Sequence, residues 1–270
     1  MSAIPSAIIN GTMLSIPFAA IVWLILSILP RTLLNAATRY AIWWIGLAIV
    51  ILLPVLYIPF DFHSSAPSPS PATVEPAIEA APAVAIEPIG PPVPEPLQSF
   101  HWPRYSIAIA TLQWLPWIGI AVMLPTFLML FRLAISYVLL ERKKASAVDP
   151  PPHLSQRLEA WLAICKTSRR ATLAISKDVT APIAAGIRHP TILLPARLLS
   201  ELEGAELDQI GLHEAAHLAR KDDFALLAQR VIEALFALHP VVRWITRKID
   251  LEREIACDDF VVEATGGART

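Results

Sequence analysis

Cysteine and charge are both scarce in this sequence. Cys165 and Cys257 are the only cysteines among 270 residues, so a disulfide framework is not expected. Charged residues make up only 17% of the chain, and the 22 Lys and Arg nearly balance the 23 Asp and Glu. A net charge of -1 gives no basic field that would attract phosphate groups. Direct binding of nucleic acid is therefore not expected.

Basic residues are also absent from residues 1–30, where the chain is strongly apolar. A cleaved signal peptide carries a basic segment before its apolar one, so this absence favours a membrane-spanning helix. Hydrophobic residues make up 55% of the chain, and the mean hydropathy is +0.53, which is typical of a membrane protein. Apolar segments at about 12–30, at about 40–60 and within 104–140 predict three transmembrane helices. Trp43 lies near one end of the second, where interfacial aromatic residues are common.

The distribution of basic residues predicts the orientation of these helices. Arg31 and Arg39 lie in the short connection between the first two, and an Arg-Lys-Lys run at 142–144 follows the third. The long connection between the second and third helices carries five acidic residues and a single Arg. Basic connections stay in the cytoplasm. The prediction is a multi-pass protein of the inner (cytoplasmic) membrane, with its N-terminus outside and everything after Leu140 in the cytoplasm.

Composition divides the chain into four parts. Residues 1–63 are the predicted helical hairpin, 64–103 a Pro- and Ala-rich extracytoplasmic loop, and 104–140 the third membrane helix. Residues 141–270 hold 18 of the 22 basic and 18 of the 23 acidic residues, as a water-facing domain does. Short β-branched runs within 172–194 predict two or three strands there. The predicted fold is therefore mainly α, with three transmembrane helices and a small α+β cytoplasmic domain.

A metal-binding motif lies in this last part. His213, Glu214 and His217 form a His-Glu-x-x-His sequence in a segment that is predicted to be helical over 206–220. Two histidines four residues apart project from one face of a helix and can bind the same ion. Glu214 then lies beside the ion as a catalytic base and not as a ligand.

A second helix, predicted over 241–264, supplies the remaining groups. Glu254 gives a third ligand and leaves one position of a zinc ion open for water, as hydrolysis requires. One zinc ion bound by His213, His217 and Glu254 is the predicted cofactor. Asp258 follows Glu254 by one turn and is predicted to accept a hydrogen bond from the far ring nitrogen of a ligand histidine.

For other residues near these motifs, both a functional and a purely structural role are possible. Cys257 could bind zinc as a thiolate, but a fourth protein ligand would close the open position, so buried packing is favoured. His239, before a proline, and His189, in an Arg-His-Pro turn, are candidate donors to the transition-state oxyanion, although such residues more often have only loop roles. The helix predicted over 224–238 is apolar but carries charges, which favours packing on the domain or a position at the membrane surface.

These motifs resemble those of the BlaR/MecR family of membrane zinc peptidases. The resemblance rests on the stretches Ala181 to Pro195, His213 to Asp223 and Glu252 to Asp258, in that order after three membrane helices. It covers essentially the whole chain. It implies a gluzincin-type domain on the cytoplasmic face, with the zinc ligands and the catalytic glutamate given above.

The same resemblance implies a regulatory role. In members that sense β-lactams, an external sensor triggers the peptidase, and a DNA-binding repressor is then lost. The expected partners are therefore the lipid bilayer and a protein substrate, with a DNA-binding repressor as the implied class. A fourth membrane helix and an external sensor, which many members have, find no room before Thr270. The signal is then expected through a homodimer, a separate sensor subunit or the external loop, or from a sensor that this stretch lacks.

Two other functions stay open at this stage. A housekeeping membrane metalloprotease of the CAAX-processing or heat-shock type would share both motifs, although the Arg-Glu-x-x-Cys-Asp stretch favours the regulatory peptidase. A non-catalytic receptor or scaffold would hold zinc with four ligands, Cys257 among them, and would not need Glu214. The motifs leave the substrate, the cleavage specificity, the triggering ligand and the oligomeric state open.

Overall fold

The computed structural model describes residues 3–57 and 115–266. The helices are α1 (Ala3–Ile28), α2 (Ala36–Leu52), α3 (Leu115–Ala145), α4 (Pro152–Ile164), α5 (Leu198–Glu201), α6 (Gly204–Arg220), α7 (Asp222–Leu235) and α8 (Pro240–Ala264). A 3-10 turn (Leu53–Tyr57) follows α2, and the strands are β1 (Thr172–Ser176), β2 (Ile183–Ala185) and β3 (Thr191–Pro195). The predicted loop at 64–103 and the start of the third predicted membrane helix lie outside the described residues.

Within the described residues, three segments are long and apolar enough to cross a membrane: Ser6–Ile28, Ala36–Tyr57 and Gly119–Ala145. Helices are the natural form of such segments, because each satisfies its own backbone hydrogen bonds where water is absent. These segments and the small sheet confirm the predicted mainly α fold. The first helix begins earlier than the sequence predicted, and α3 continues to Ala145.

The sheet has the strand order β1-β3-β2, with β3 in the centre. β1 pairs with β3 in parallel, and β2 pairs with β3 antiparallel, with Ala184 opposite Ile192. Every residue of β3 is buried, whereas those of β2 are partly exposed. β2 is therefore an edge strand, and its second side has no strand partner within the described residues.

α4 packs against α6 and fixes its position. The buried indole of Trp161 packs over Gly211, where an added Cβ would lie 2.5 Å from the ring. The Nε1–H of Trp161 also donates a hydrogen bond to Asp208, at 2.9 Å. A capping box between Glu203 and Glu206 stabilises the start of α6, about one turn before Asp208. These contacts set the position of the motif helix.

α8 packs mainly against the first two membrane helices. Trp43 of α2 is buried and meets Trp244 of α8 edge to face, with 5.5 Å between ring centroids. Trp43 therefore lies in a contact between helices and not in the aromatic belt that its position suggested. The buried apolar residues that these helices share are Ala19, Leu26, Trp43, Leu47, Val50, Val241, Val242, Ile245 and Ile249.

α7 lies between the membrane part and the motif helix. It contacts α3, α6 and α8, so the prediction of a helix packed on its neighbours describes it. Lys221, with φ of 60°, ends α6 and directly precedes α7. This left-handed residue reverses the chain within one position and brings the start of α7 back towards the end of α6.

Candidate metal site

The two histidines of the motif project from the same face of α6. Their ring centroids lie 4.8 Å apart with the planes nearly perpendicular, and their Nε2 atoms lie 3.2 Å apart. Four residues of helix separate them, so the close approach follows from the helical repeat. His213 and His217 thus present two ring nitrogens to one point.

Glu254 of α8 completes a triangle of donor atoms with these histidines. Its Oε2 lies 3.8 Å from Nε2 of His213 and 3.5 Å from Nε2 of His217. A point equidistant from three atoms with these separations lies about 2.0 Å from each, which is the length of zinc–nitrogen and zinc–oxygen bonds. The three predicted ligands therefore fit a zinc-sized ion.

A carboxylate stands behind each histidine. Nδ1 of His213 lies 3.0 Å from Oδ1 of Asp258, the residue that the sequence predicted for this position. Nδ1 of His217 lies 2.8 Å from Oδ2 of Asp222. Such partners fix the tautomer and the orientation of a ligand histidine and raise its basicity. Both imidazoles therefore turn Nε2 towards the common point.

Asp222 is a residue of the site that the sequence did not reveal. Lys221 holds the N-cap position of α7, and Asp222 is the first residue of that helix. The turn at Lys221 frees the Asp222 side chain to reach back to His217. Arg220 holds Asp222 in place, since its Nε lies 3.2 Å from Oδ2 and its Nη1 donates to the Ala256 carbonyl of α8. An aspartate five residues after the second motif histidine was the available signal.

Glu214 lies beside the triangle and faces the edge strand. The backbone N–H of Ala184 in β2 donates a hydrogen bond to its carboxylate, and burial raises the pKa of the carboxyl above its usual value. A carboxylate with a raised pKa can exchange a proton with a reacting group near neutral pH.

The ligand groups form a tightly coupled set of acids and bases. The neighbouring imidazoles of His213 and His217 hold the pKa of the Glu254 carboxyl far below its usual range. Burial lowers the pKa of His217, but hydrogen bonds with Asp222, Cys257 and Glu254 outweigh it and raise the value to about 12. The neighbouring acidic groups thus favour positive charge at the His217 ring.

Cys257 lies close to the same point. Its Sγ belongs to a group with ring nitrogens of His213 and His217 in which all donor atoms lie within 4.8 Å of one another. The thiol is buried, its pKa is raised by that burial, and it donates to the His213 carbonyl at 3.5 Å. These contacts agree with a packed thiol, and the position also allows a sulfur ligand.

His239 lies far from these groups, which corrects its suggested role as a transition-state donor. It caps the N-terminus of α8, where its Nδ1 accepts a hydrogen bond from the Val242 N–H at 3.3 Å. Fifteen residues of helix separate it from Glu254, about 22 Å along the axis. His189, the other suggested donor, lies in the turn before β3, and its carbonyl accepts a hydrogen bond from Lys144.

Two cavities among the described residues border Glu214, and both also reach Pro182 and His213. One, of about 250 Å³, is bounded by β2, the start of α7, the two histidines and Glu254. The other, of about 510 Å³, lies between α6 and the end of α8 and reaches Pro182, His213 and Asp258. The site therefore opens into both cavities.

Three membrane helices and a His-Glu-x-x-His helix facing a carboxylate on a second helix define the class of a membrane metallopeptidase. The family model described as BlaR1 peptidase M56 matches residues 8–269. The chain belongs to this family, as its motifs predicted, and its function is of the membrane-associated metallopeptidase type. A search of curated proteins found no match.

Proposed function

We propose that this protein is a zinc-dependent endopeptidase of the inner (cytoplasmic) membrane that cleaves a regulatory protein on the cytoplasmic side. A DNA-binding repressor is the proposed substrate class. The observation that carries the proposal is the triangle formed by His213, His217 and Glu254, with Glu214 beside it. The size of the triangle suits a zinc ion, and the position of Glu214 suits a catalytic base in hydrolysis.

Each residue of the site has a defined part in this chemistry. Zinc, when bound, polarises the substrate carbonyl and makes water a nucleophile near neutral pH. Glu214 accepts the proton that water loses and then donates it to the leaving amine, a use for which its raised pKa is suited. Asp222 and Asp258 hold the imidazoles in the orientation that binding requires.

The edge strand offers a binding surface for an extended substrate. Among the described residues β2 has no strand partner on its second side, and Pro182, Ile183 and Ala184 line the cavity that contains the ligand residues. An extended peptide can add to such an edge through backbone hydrogen bonds. The two cavities that border Glu214 leave room for more of a substrate chain than a terminal residue, which favours cleavage within a chain.

The proposed orientation gives the site access to a cytoplasmic regulator. The basic residues Arg31 and Arg39 and the run at 142–144 favour the cytoplasm for the connection between α1 and α2 and for the end of α3. The resemblance to antibiotic-responsive members supports a repressor as the substrate.

Glu214→Gln tests the catalytic assignment. It should lower cleavage by a factor of about 10² to 10⁴, since general acid–base catalysis contributes that much, while zinc remains bound. The measurement is peptide cleavage by the purified full chain in detergent, followed by mass spectrometry, together with its zinc content. Glu263→Gln, which changes an exposed carboxylate of α8, is the matched control and should retain both. Wild-type cleavage by Glu214→Gln would contradict the assignment.

A comparison of proteomes tests the regulatory part separately. Cells that lack the gene should accumulate one intact regulator and its downstream changes. Accumulation of many damaged membrane proteins would favour the housekeeping type of metalloprotease instead. This outcome leaves the peptidase chemistry untouched and concerns only the substrate.

The position of Cys257 gives one specific reason to keep a second function. A site with His213, His217, Glu254 and Cys257 all bound would have four protein ligands and no open position for water. Such a zinc ion would stabilise a non-catalytic receptor or scaffold. A sulfur ligand in the zinc X-ray absorption spectrum, together with an absence of cleavage by the wild-type protein, would support this function.

A further inference from the structure

Arg39, near the start of α2, forms a buried contact with α8. Its Nε lies 3.3 Å from Oε1 of Glu252, and the two side chains are only 9% and 7% exposed. Its terminal nitrogens donate to the carbonyl oxygens of Leu26 and Leu29 at the end of α1. One guanidinium group therefore joins α1, α2 and α8.

Glu252 depends on this contact. Within the described residues its Oε2 is buried without a hydrogen-bond partner, so the ion pairs of Oε1 compensate the charge. Removing one partner of a buried ion pair leaves an uncompensated charge, which is costly. Glu252 stands two residues before Glu254 on the same helix, so any shift of Glu252 also moves the candidate ligand.

Tyr40, the next residue of α2, contacts Arg220 at the end of α6, the helix that carries the two histidines. The guanidinium of Arg220 lies 5.8 Å from the ring centroid of Tyr40, within the range of a cation–π contact. Arg220 also binds the Asp222 carboxylate, which in turn holds Nδ1 of His217. Two consecutive residues of α2 thus contact both helices that carry candidate ligands: Arg39 contacts α8, and Tyr40 contacts α6.

We propose that Arg39 is a positioning residue of the metal site and that the first membrane hairpin regulates the site through it. Through Glu252, Arg39 fixes where α8 lies along α2. That position sets the distance of Glu254 from His213 and His217. Displacement of the hairpin by a signal then changes metal coordination directly. This inference rests on the proposed zinc site and names the membrane element that controls it.

The test compares two arginines that contact the same carboxylate oxygen. Arg31 lies 3.4 Å from Oε1 of Glu252, but its side chain is 49% exposed, so its contribution is small. In the full chain in lipid nanodiscs, Arg39→Met should weaken zinc binding by about tenfold or more, the effect of losing a supporting contact at a metal site. Competition with a chromophoric chelator measures the affinity. Arg31→Met, the matched control, should stay within about twofold of wild type.

The absorption spectrum of the cobalt-substituted protein reports coordination independently of activity. Arg39→Met should change this spectrum, because Glu254 is displaced from the histidines, and Arg31→Met should not. Arg39→Lys keeps the charge but loses the forked geometry of the guanidinium, so its zinc affinity should be intermediate. A residue needed only for stability would lower the melting temperature and leave the spectrum of the folded protein unchanged.

The double variant Arg39→Met with Glu252→Met keeps the test available if the single variant does not fold. It leaves no unpaired charge buried, so it is expected to fold, with zinc affinity still lowered and the cobalt spectrum still changed. A wild-type affinity and spectrum in this double variant would overturn the proposal, and so would an equal loss in Arg31→Met. Failure of the proposed function looks different, because the wild-type protein would then bind no zinc or cleave no peptide.

Discussion

The two helices that carry the candidate ligands are held by different halves of the molecule. α6 packs on α4 in the half that follows α3, through Trp161 and Gly211. α8 packs on α1 and α2 in the membrane half, through residues such as Ile245 and Ile249. Neither half alone fixes the complete set of ligands. The geometry of the site therefore depends on how the two halves pack together, and the proposed control by the first hairpin would act on this packing.

Removal of the membrane half should have the largest effect. A fragment of residues 141–270 keeps His213, His217 and Glu254 but loses the helices that hold α8. Its rate of peptide cleavage should fall about 100-fold or more, since a small displacement of a catalytic group costs that much. The measurement compares the fragment with the full chain at equal zinc occupancy. Full activity of the fragment would contradict this expectation and show that residues 141–270 position the ligands without α1 and α2.

Substitution of the carboxylates behind the histidines should have the next largest effect. Asp222 is 6% exposed and bound by Arg220, whereas Asp258 is 69% exposed. Asp222→Asn should therefore weaken zinc binding about 100-fold and Asp258→Asn about tenfold, the two ends of the range for such partners. Chelator competition measures both. Equal losses of zinc affinity in the two variants would show that the burial of Asp222 does not make it the stronger support.

Close packing of α6 should give the smallest functional effect and mainly a change in stability. In Gly211→Ala the new Cβ meets the Trp161 ring, and overpacking of this kind costs about 1 to 3 kcal/mol. Thermal unfolding measures the loss. Gly46→Ala on α2 is the matched control, because among the described residues no atom outside its own stretch of helix lies within 4 Å of the added Cβ, and its stability should be unchanged or slightly higher. Equal melting temperatures for the two variants would show that the α4 contact does not fix α6.

The sequence predicted the local part of the site well. The spacing of His213 and His217 implied one helix face, and the one-turn spacing of Glu254 and Asp258 implied a second, because helical periodicity is a local property. The three apolar segments predicted membrane helices for the same reason. Each of these features can be read from a few consecutive residues.

The remaining features depend on contacts between distant residues. Asp222 reaches His217 only because Lys221 adopts a left-handed conformation, which an ordinary residue rarely favours. The pair of Arg39 and Glu252 joins positions 213 residues apart, and no local pattern connects them. The suggested role of His239 was wrong because its position before Pro240 makes it the cap of α8, at the far end from Glu254.

The X-ray absorption spectrum at the zinc edge of the purified full chain tests the central claim most directly. We expect two imidazole nitrogens and a carboxylate oxygen at about 2.0 to 2.2 Å, with one further oxygen from water and no sulfur. Glu254→Gln should weaken zinc binding and change this spectrum. A sulfur ligand at about 2.3 Å, or a spectrum that Glu254→Gln leaves unchanged, would contradict the assignment of His213, His217 and Glu254 as an open zinc site.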